Sequence, residues 1–579
     1  MSEAEDRSAP GDLFDRWGPL AVSVAVVAVV LARLWLVFHR LFDPDELEHL
    51  HAGFCVWQGM VPYRDFFEQH GPVLWYVSLP FFHIWGASLS VLTAGRFVIW
   101  ILGAASIALT WQLGNRLYGR WGGPVAALLL VLVPSFQEKN VEWRPDNVAL
   151  PLVLVAVLAA ERAVVQRSWR WAGIFGASLA AGFLCTQKIA YVGLGLGAGF
   201  VVSSLLNSRL VSNDSTISHD VGRPGVRGIL ASLLATAVGA SLVLAVFVAL
   251  FAAAGVLGPL FDMTVRLPLR WQTREPVTTY LAKAIFESPV FCGAGITGLL
   301  VTVTDLRRAA TRQPGVLIAL AGTVVHSAGV LRVPAAFLQY YLPLWPLVAL
   351  FAARGALALA RLPCRRGDSA ASPPLQFWVA VAGLVATVGA TALRWAFSPL
   401  PARWDVAFVA ACVVAGVLFP LARRAAILVV IVASALAAGP FHWVQFVPWS
   451  DVQRNQRTQI ERLLRATGPD DRFFDGFTGM AALRPHAFKY FWINHHSWPM
   501  LPDDAKSAGV LQALDDEHTR VVLEDVNLFK HLPAHAQRLL VDDYAIDARY
   551  SWAGCAVRVR RGRELPPPFD WPVEVDEGF

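Results

Sequence analysis

Asp43, Asp45, Glu46 and Glu48 place four carboxylates within six residues, directly after the first long apolar run of the chain. Charge is costly in hydrocarbon, so an acidic cluster at the edge of an apolar run needs partners or a task. Another carboxylate, Glu68, follows within Phe66-Phe67-Glu68-Gln69-His70-Gly71-Pro72, before the chain turns apolar again. A carboxylate beside a bound hydroxyl takes up its proton as that hydroxyl attacks. On this reading Asp45 is the base, Glu46 orients it, and Glu68 binds the acceptor or shares the base role. Asp43-x-Asp45 also has the spacing of a divalent-cation motif, whose oxygen ligands suit magnesium or manganese. The competing account is a solvated helix start, because acidic residues favour a first turn.

Other polar groups join this set. Lys188 interrupts an apolar stretch, where a cation has to snorkel, pair or bind an anion. Arg144 and Asp146 flank Pro145, and a simple pairing of the two at a helix start accounts for them somewhat better than chemistry does. Arg270 lies in a basic and aromatic stretch, with Arg266, Arg274 and Lys283 among Leu267, Leu269, Trp271 and Tyr280. Such a mix fits an interfacial element facing lipid phosphate or anionic headgroups. Arg332 and Tyr340 are further candidates for substrate contact. His49 and His51 with Glu46 have zinc-like composition, but residues i and i+2 do not share a helix face, so ordinary polar surface is expected there. Trp75 and Trp143 are candidates to stack on a sugar, although most of the 22 tryptophans suit interfacial anchoring. The six cysteines have neither framework nor metal-type spacing. Gly193 to Gly199 has no preceding strand, so its glycines serve close helix packing rather than a nucleotide.

The elements that position these residues are set by composition. The 579 residues are 55% hydrophobic and 16% charged, with a mean hydropathy of +0.48. A soluble chain carries about a quarter charged residues, so this is a polytopic α-helical membrane protein. The net charge of +6 comes from arginines scattered through short loops, which excludes a nucleic-acid face and matches a positive-inside bias. Apolar runs predict about thirteen spans, near 18–38, 90–113, 121–136, 146–163, 171–187, 189–207, 229–256, 289–305, 314–331, 338–360, 375–396, 405–422 and 425–447. Val73 to Trp85 is short and holds Pro80, so an interfacial or re-entrant helix is expected there.

An odd number of spans puts the termini on opposite sides, and the arginine-rich loops place residues 1–17 in the cytoplasm. The outer loop 39–89, the stretch Lys139 to Asp146, the loop 257–288, Arg332 and the tail 448–579 then share the other face. In that tail an amphipathic helix over Gln453 to Arg465 precedes strand-like runs at Arg472–Phe474, Arg520–Leu523 and Ala556–Val559. Helical patterns at Asp504–Asp516 and Ala534–Asp543 lie between them, which predicts a small α/β extracytoplasmic domain.

The order of parts resembles the membrane glycosyltransferases with the C-type fold, which use polyprenyl-phosphate sugars. Within them it is similar to bacterial members of the protein mannosyltransferase and aminoarabinose transferase group. The residues that carry the resemblance are Asp45-Glu46, Tyr63, Phe66-Phe67-Glu68, Arg96, Arg144-Pro145-Asp146, Thr186-Gln187-Lys188 and Gln339-Tyr340-Tyr341-Leu342-Pro343. The chain departs from the mannosyltransferases in lacking a large insert between later spans, which points away from protein O-mannosylation.

The resemblance implies that Asp45 is the catalytic carboxylate and Glu68 the second acid of the outer loop. It implies a multi-pass enzyme of the bacterial inner membrane and an inverting transfer to a lipid, glycan or protein acceptor. Tyr63, Arg96, Arg144, Asp146, Lys188, Arg270, Arg332 and Tyr340 are then the residues expected around the substrates. The rival class is a transporter or flippase for an anionic lipid-linked substrate. No paired halves with broken helices are legible in the sequence, and the acids cluster outside the spans.

Overall fold

The computed structural model describes residues 10–213, 226–271, 275, 277–306, 313–360, 447–491, 497–552 and 554–568. Its helices follow the apolar runs. In chain order they are α1 (Pro10–Ala32), α2 (Leu34–His39), α3 (Pro44–Trp57), α4 (Val73–Trp85), α5 (Ser90–Tyr118), α6 (Gly122–Val131) and α7 (Pro134–Lys139). Next come α8 (Pro145–Gln166), α9 (Trp169–Cys185), α10 (Ile189–Asn213), α11 (Val226–Ala253), α12 (Leu257–Phe261), α13 (Val277–Glu287), α14 (Pro289–Thr304), α15 (Pro314–Val330) and α16 (Leu344–Ala360).

Among the described residues, five stretches are long and apolar enough to cross a membrane: Trp17–His39, Ser90–Tyr118, Pro145–Gln166, Ile189–Asn207 and Arg227–Ala253. The spans expected at 121–136, 289–305, 314–331 and 338–360 are realised as shorter apolar helices. Prolines explain two of these differences. Pro134 lacks an N–H and disfavours helix at Val133, so α6 stops at Val131 and α7 starts afresh. Residues 338–341 form a separate 3₁₀ turn before Pro343, leaving α16 to begin at Leu344. The spans expected at 375–396, 405–422 and 425–447 lie, but for Val447, outside the described residues.

The tail begins with α17 (Trp449–Ala466), whose Ile460 and Leu463 are buried. It continues through β1 (Arg472–Asp475), α18 (Val510–Asp515), β2 (Thr519–Asp525), α19 (Val526–His531), α20 (Ala534–Asp543), β3 (Tyr544–Ile546) and β4 (Cys555–Arg560). These strands form a four-stranded sheet in the order β1-β2-β4-β3. β1 runs parallel to β2 (Phe474 opposite Val522), and β4 runs antiparallel to both β2 and β3.

Two cores result. One joins the spans, with Leu129, Val153, Leu196 and Leu350 among its fully buried members. The other unites the stretch 39–89 with the tail: Leu47, Leu50, Phe66 and Trp75 share one apolar cluster with Phe474, Val522 and Val557. Polar contacts follow the same seam. Gln456 bonds both the amide and the carbonyl of Phe42 (2.7 and 2.9 Å), and the Phe67 amide donates to the Lys489 carbonyl at 3.0 Å. Close approach also fixes Gly71, where a Cβ would meet the Leu184 carbonyl oxygen at 1.8 Å.

Candidate active site

The start of α3 is dictated locally. Asp43 caps the helix by accepting from the Asp45 amide at 3.1 Å, while Glu46 reaches back to the Asp43 amide at 3.1 Å, with Pro44 at the first helical position. This reciprocal capping satisfies amides that have no partner inside the helix.

Glu46 does not orient Asp45. It is fully buried, and its oxygens accept from Arg96 Nε (2.8 Å), Arg96 Nη2 (2.5 Å), the Trp143 amide (2.8 Å) and Arg40 Nη1 (3.3 Å). Burial alone would raise its pKa, but Arg96 and Arg40 outweigh burial and hold it below the ordinary carboxylate value. Arg96 in turn donates to the carbonyls of Arg40 (2.7 Å) and Leu41 (2.8 Å), and Arg40 pairs with Glu142. Both arginines are buried. Arg96, expected near substrate, is thus a bracket between α5 and the turn before α3.

Asp45 is the accessible member of the cluster. Its side chain is 30% exposed, against 18% for Asp43 and none for Glu46. Arg144 Nη1 donates to Asp45 Oδ2 at 2.6 Å and Nη2 to Asp43 Oδ1 at 2.7 Å, and Arg144 also pairs with Glu142. Among the described residues, the other Asp45 oxygen accepts no hydrogen bond. The guanidinium therefore lies between the two carboxylates that were expected to hold magnesium or manganese. Lys139 completes the network, 3.3 Å from Asp43 and 2.8 Å from Glu142. Burial opposes the charge of Asp43, yet Arg144, Lys139 and Arg40 depress its pKa strongly.

Arg144 and Asp146 do not pair with each other. Asp146 instead receives Lys188, whose Nζ lies 3.1 Å from each of its oxygens and 4.5 Å from the centroid of the Tyr340 ring. Lys188 lies in the break between α9 and α10, so it neither interrupts a helix nor snorkels. It adds a cation–π contact to an ion pair.

Glu68 is fully buried and accepts from the amides of Gln69 (2.7 Å) and His70 (3.1 Å) and from His70 Nδ1 (2.9 Å), with His49 Nδ1 3.6 Å away. Burial would raise its pKa, but the nearby His49 ring and the bond with His70 pull it below the usual range. His49, Glu68 and His70 thus converge, offering ligand atoms within 4.8 Å of one another. His49 and His51 are both buried, so the expectation of polar surface fails. Each finds its own partner from a distant segment.

Glu48, left without a role in the sequence, is also buried, and burial together with the charges of Glu68 and Asp45 pushes its pKa well above the ordinary value. Its position one turn after Asp45 on the same helix was the signal for it. Lys139, Glu142 and Arg40 were likewise not singled out.

The remaining candidates divide. Tyr63 has a positive φ of 69°, is buried, and donates its hydroxyl to the His70 carbonyl at 2.8 Å, so it shapes the loop. Trp75 and Trp143 are buried in the core rather than open to a sugar. Arg270 and Arg332 are exposed, and among the described residues neither bonds to the carboxylate cluster. Tyr340 presents its ring to Lys188.

Comparison with known proteins follows the same lines. Residues 69–218 match the family described as dolichyl-phosphate-mannose-protein mannosyltransferase. That stretch holds Arg96, Arg144, Asp146 and Lys188 but stops short of Asp45 and Glu68. No curated protein sequence matches the chain. Among solved structures, ArnT from Cupriavidus metallidurans bound to undecaprenyl phosphate aligns with a TM-score of 0.56 at 12% identity, covering 94% of this chain and 99% of that one. The same protein in the apo state aligns with a TM-score of 0.53 at 13% identity, covering 93% and 98%. The resemblance read from the sequence is borne out by the family match over residues 69–218 and by the fold, which this chain shares with ArnT.

Proposed function

We propose that this protein is a membrane glycosyltransferase that moves a sugar from a polyprenyl-phosphate donor to an acceptor hydroxyl on the outer face of a bacterial inner membrane. The observation that carries the reading is the contrast within the acidic cluster. Asp43, Glu46 and Glu142 are occupied by ion pairs, whereas Asp45 is the more exposed carboxylate and keeps an oxygen free of hydrogen bonds among the described residues.

Asp45 accepts the proton as the acceptor oxygen attacks the anomeric carbon from the side opposite the phosphate. The new C–O bond forms as the bond from that carbon to the phosphate oxygen breaks, which inverts the centre. The electron pair leaves with the polyprenyl phosphate, where a nearby cation stabilises the developing charge. Lys188, held by Asp146 and lying against Tyr340, is that cation, and Arg144 holds Asp45 in place. Arg270 and Arg332 are exposed on their loops and suit anionic headgroups better than the reacting phosphate. A lipid, a cell-envelope glycan or a protein hydroxyl fits as acceptor.

The test is a transfer assay with full-length protein in nanodiscs, offering radiolabelled polyprenyl-phosphate sugars with crude envelope acceptors, and Asp45→Asn as control. Label leaving one donor with the wild type alone supports the reading. If no donor is consumed by folded protein, and an anionic lipid-linked sugar instead crosses liposome membranes carrying it, the protein is a flippase.

A further inference from the structure

A second constellation lies on α3, away from Glu68, where the helix meets the tail. His51 and Cys55 are one turn apart, and His486 reaches them from the segment that follows β1. His51 Nε2 is 2.9 Å from His486 Nδ1, and Cys55 Sγ is 3.4 Å from the first and 3.6 Å from the second. His51 and Cys55 are buried. None of the three has a part in the transfer chemistry described above.

We infer that His51, Cys55 and His486 form a zinc site that clips the helix bearing Asp45 to the tail. Three features support it. First, zinc bonds imidazole nitrogen at about 2.0–2.1 Å and thiolate sulfur at about 2.3 Å, so tetrahedral geometry sets nitrogen–sulfur separations of about 3.6 Å. The two sulfur separations here match, and the nitrogen pair has to open by only a few tenths of an ångström. Second, His51 Nδ1 is 3.0 Å from the Ala482 carbonyl oxygen. A carbonyl only accepts, so Nδ1 carries the proton and Nε2 presents a lone pair to the other two groups. Histidine ligands are usually fixed in this way by a bond from their other nitrogen. Third, a cavity of about 20 Å³ lined by His51, His486 and Asp475 adjoins the cluster. That volume suffices for one water as fourth ligand.

Two imidazoles and a thiolate select a thiophilic ion such as zinc over magnesium or calcium. Binding converts the Cys55 thiol to a thiolate and releases its proton to solvent. No carboxylate of the Asp45 network takes part, so the inference stands apart from the proposed transfer reaction.

The experiment uses full-length protein without a polyhistidine tag, stripped by a chelator and titrated with cobalt. A thiolate-to-cobalt charge-transfer absorption is expected, since among the described residues only this cluster pairs histidine with sulfur. Zinc should abolish the absorption by displacement. Cys55→Ser and His486→Asn should lack it while melting like the stripped wild type, and His70→Asn should keep it. Absence of the absorption in the wild type, or its persistence in Cys55→Ser, overturns the site.

Discussion

Arg144 donates to Asp45 at 2.6 Å across a gap of 99 positions in the chain. The contact ties the loop before α8 to the first turn of α3. It orients Asp45 without burying it, as a general base requires.

Asp45→Asn is therefore expected to lower transfer by about 10²–10⁴-fold, the range for losing a positioned base. Yield and melting temperature should not change. Activity retained by the asparagine variant would move the base elsewhere.

Glu46 stands next to Asp45 in sequence and should behave in the opposite way. Glu46→Gln leaves the buried Arg96 and Arg40 under-compensated, at a cost of about 3–5 kcal/mol for a broken buried ion pair. The expected outcome is poor recovery of folded protein, measured by size-exclusion yield and thermal melts. A variant that melts normally but is inactive would place Glu46 in the chemistry.

Lys188→Met should act on the donor. Losing one charge-assisted contact to the phosphate, whose charge grows as the bond breaks, is worth about 1.5–3 kcal/mol, or roughly ten- to hundred-fold in kcat/KM for the polyprenyl-phosphate sugar. Lys188→Arg should recover part of it. A change confined to the acceptor KM would exclude a donor role.

Glu48 sets a pH dependence. Its folded pKa is raised, by burial first and then by Glu68 and Asp45. The protonated folded form is therefore favoured, and the stability it confers is complete below the unfolded value of about 4.3 and is lost as pH rises from there toward the folded value. Glutamine mimics the neutral acid, so Glu48→Gln should melt higher than wild type at alkaline pH, with the gap closing as pH falls toward the unfolded value. A gap independent of pH would mean that Glu48 is ionised in the folded protein.

Magnesium and manganese should not raise the transfer rate of stripped protein, because Arg144 already bridges Asp43 and Asp45. A rate that rises with either ion would require Arg144 to yield its place.

Much of the scaffold was legible in the sequence. Asp43-Pro44-Asp45-Glu46 spells a capped helix start, and the strand runs in the tail reappear as β1, β2 and β4, because these features are local. The division of labour between Asp45 and Glu46 was not legible. Successive residues on a helix point about 100° apart, and only the tertiary neighbours decide which side is buried. The histidines illustrate the same limit. His49 and His51 sit on different faces, as the spacing requires, but the partners that bury them, Glu68 and His70 for one and His486 for the other, come from other segments. Lys188 shows the same limit: the sequence required a cation in an apolar stretch to snorkel, pair or bind an anion, and hydropathy does not mark the helix break at Thr186 that lets it meet Asp146.

The apolar cluster shared by the stretch 39–89 and the tail also sets an order of assembly. Leu47, Leu50 and Phe66 emerge early in synthesis, yet Phe474 and Val522 are made more than 400 residues later, and Gln456 must arrive before Phe42 has its bonds. Contacts so distant in sequence form late. The nascent chain thus carries an unfinished α3 until its last segment has been delivered to the same side, and a prematurely terminated protein would hold its acids without the surface that seats them.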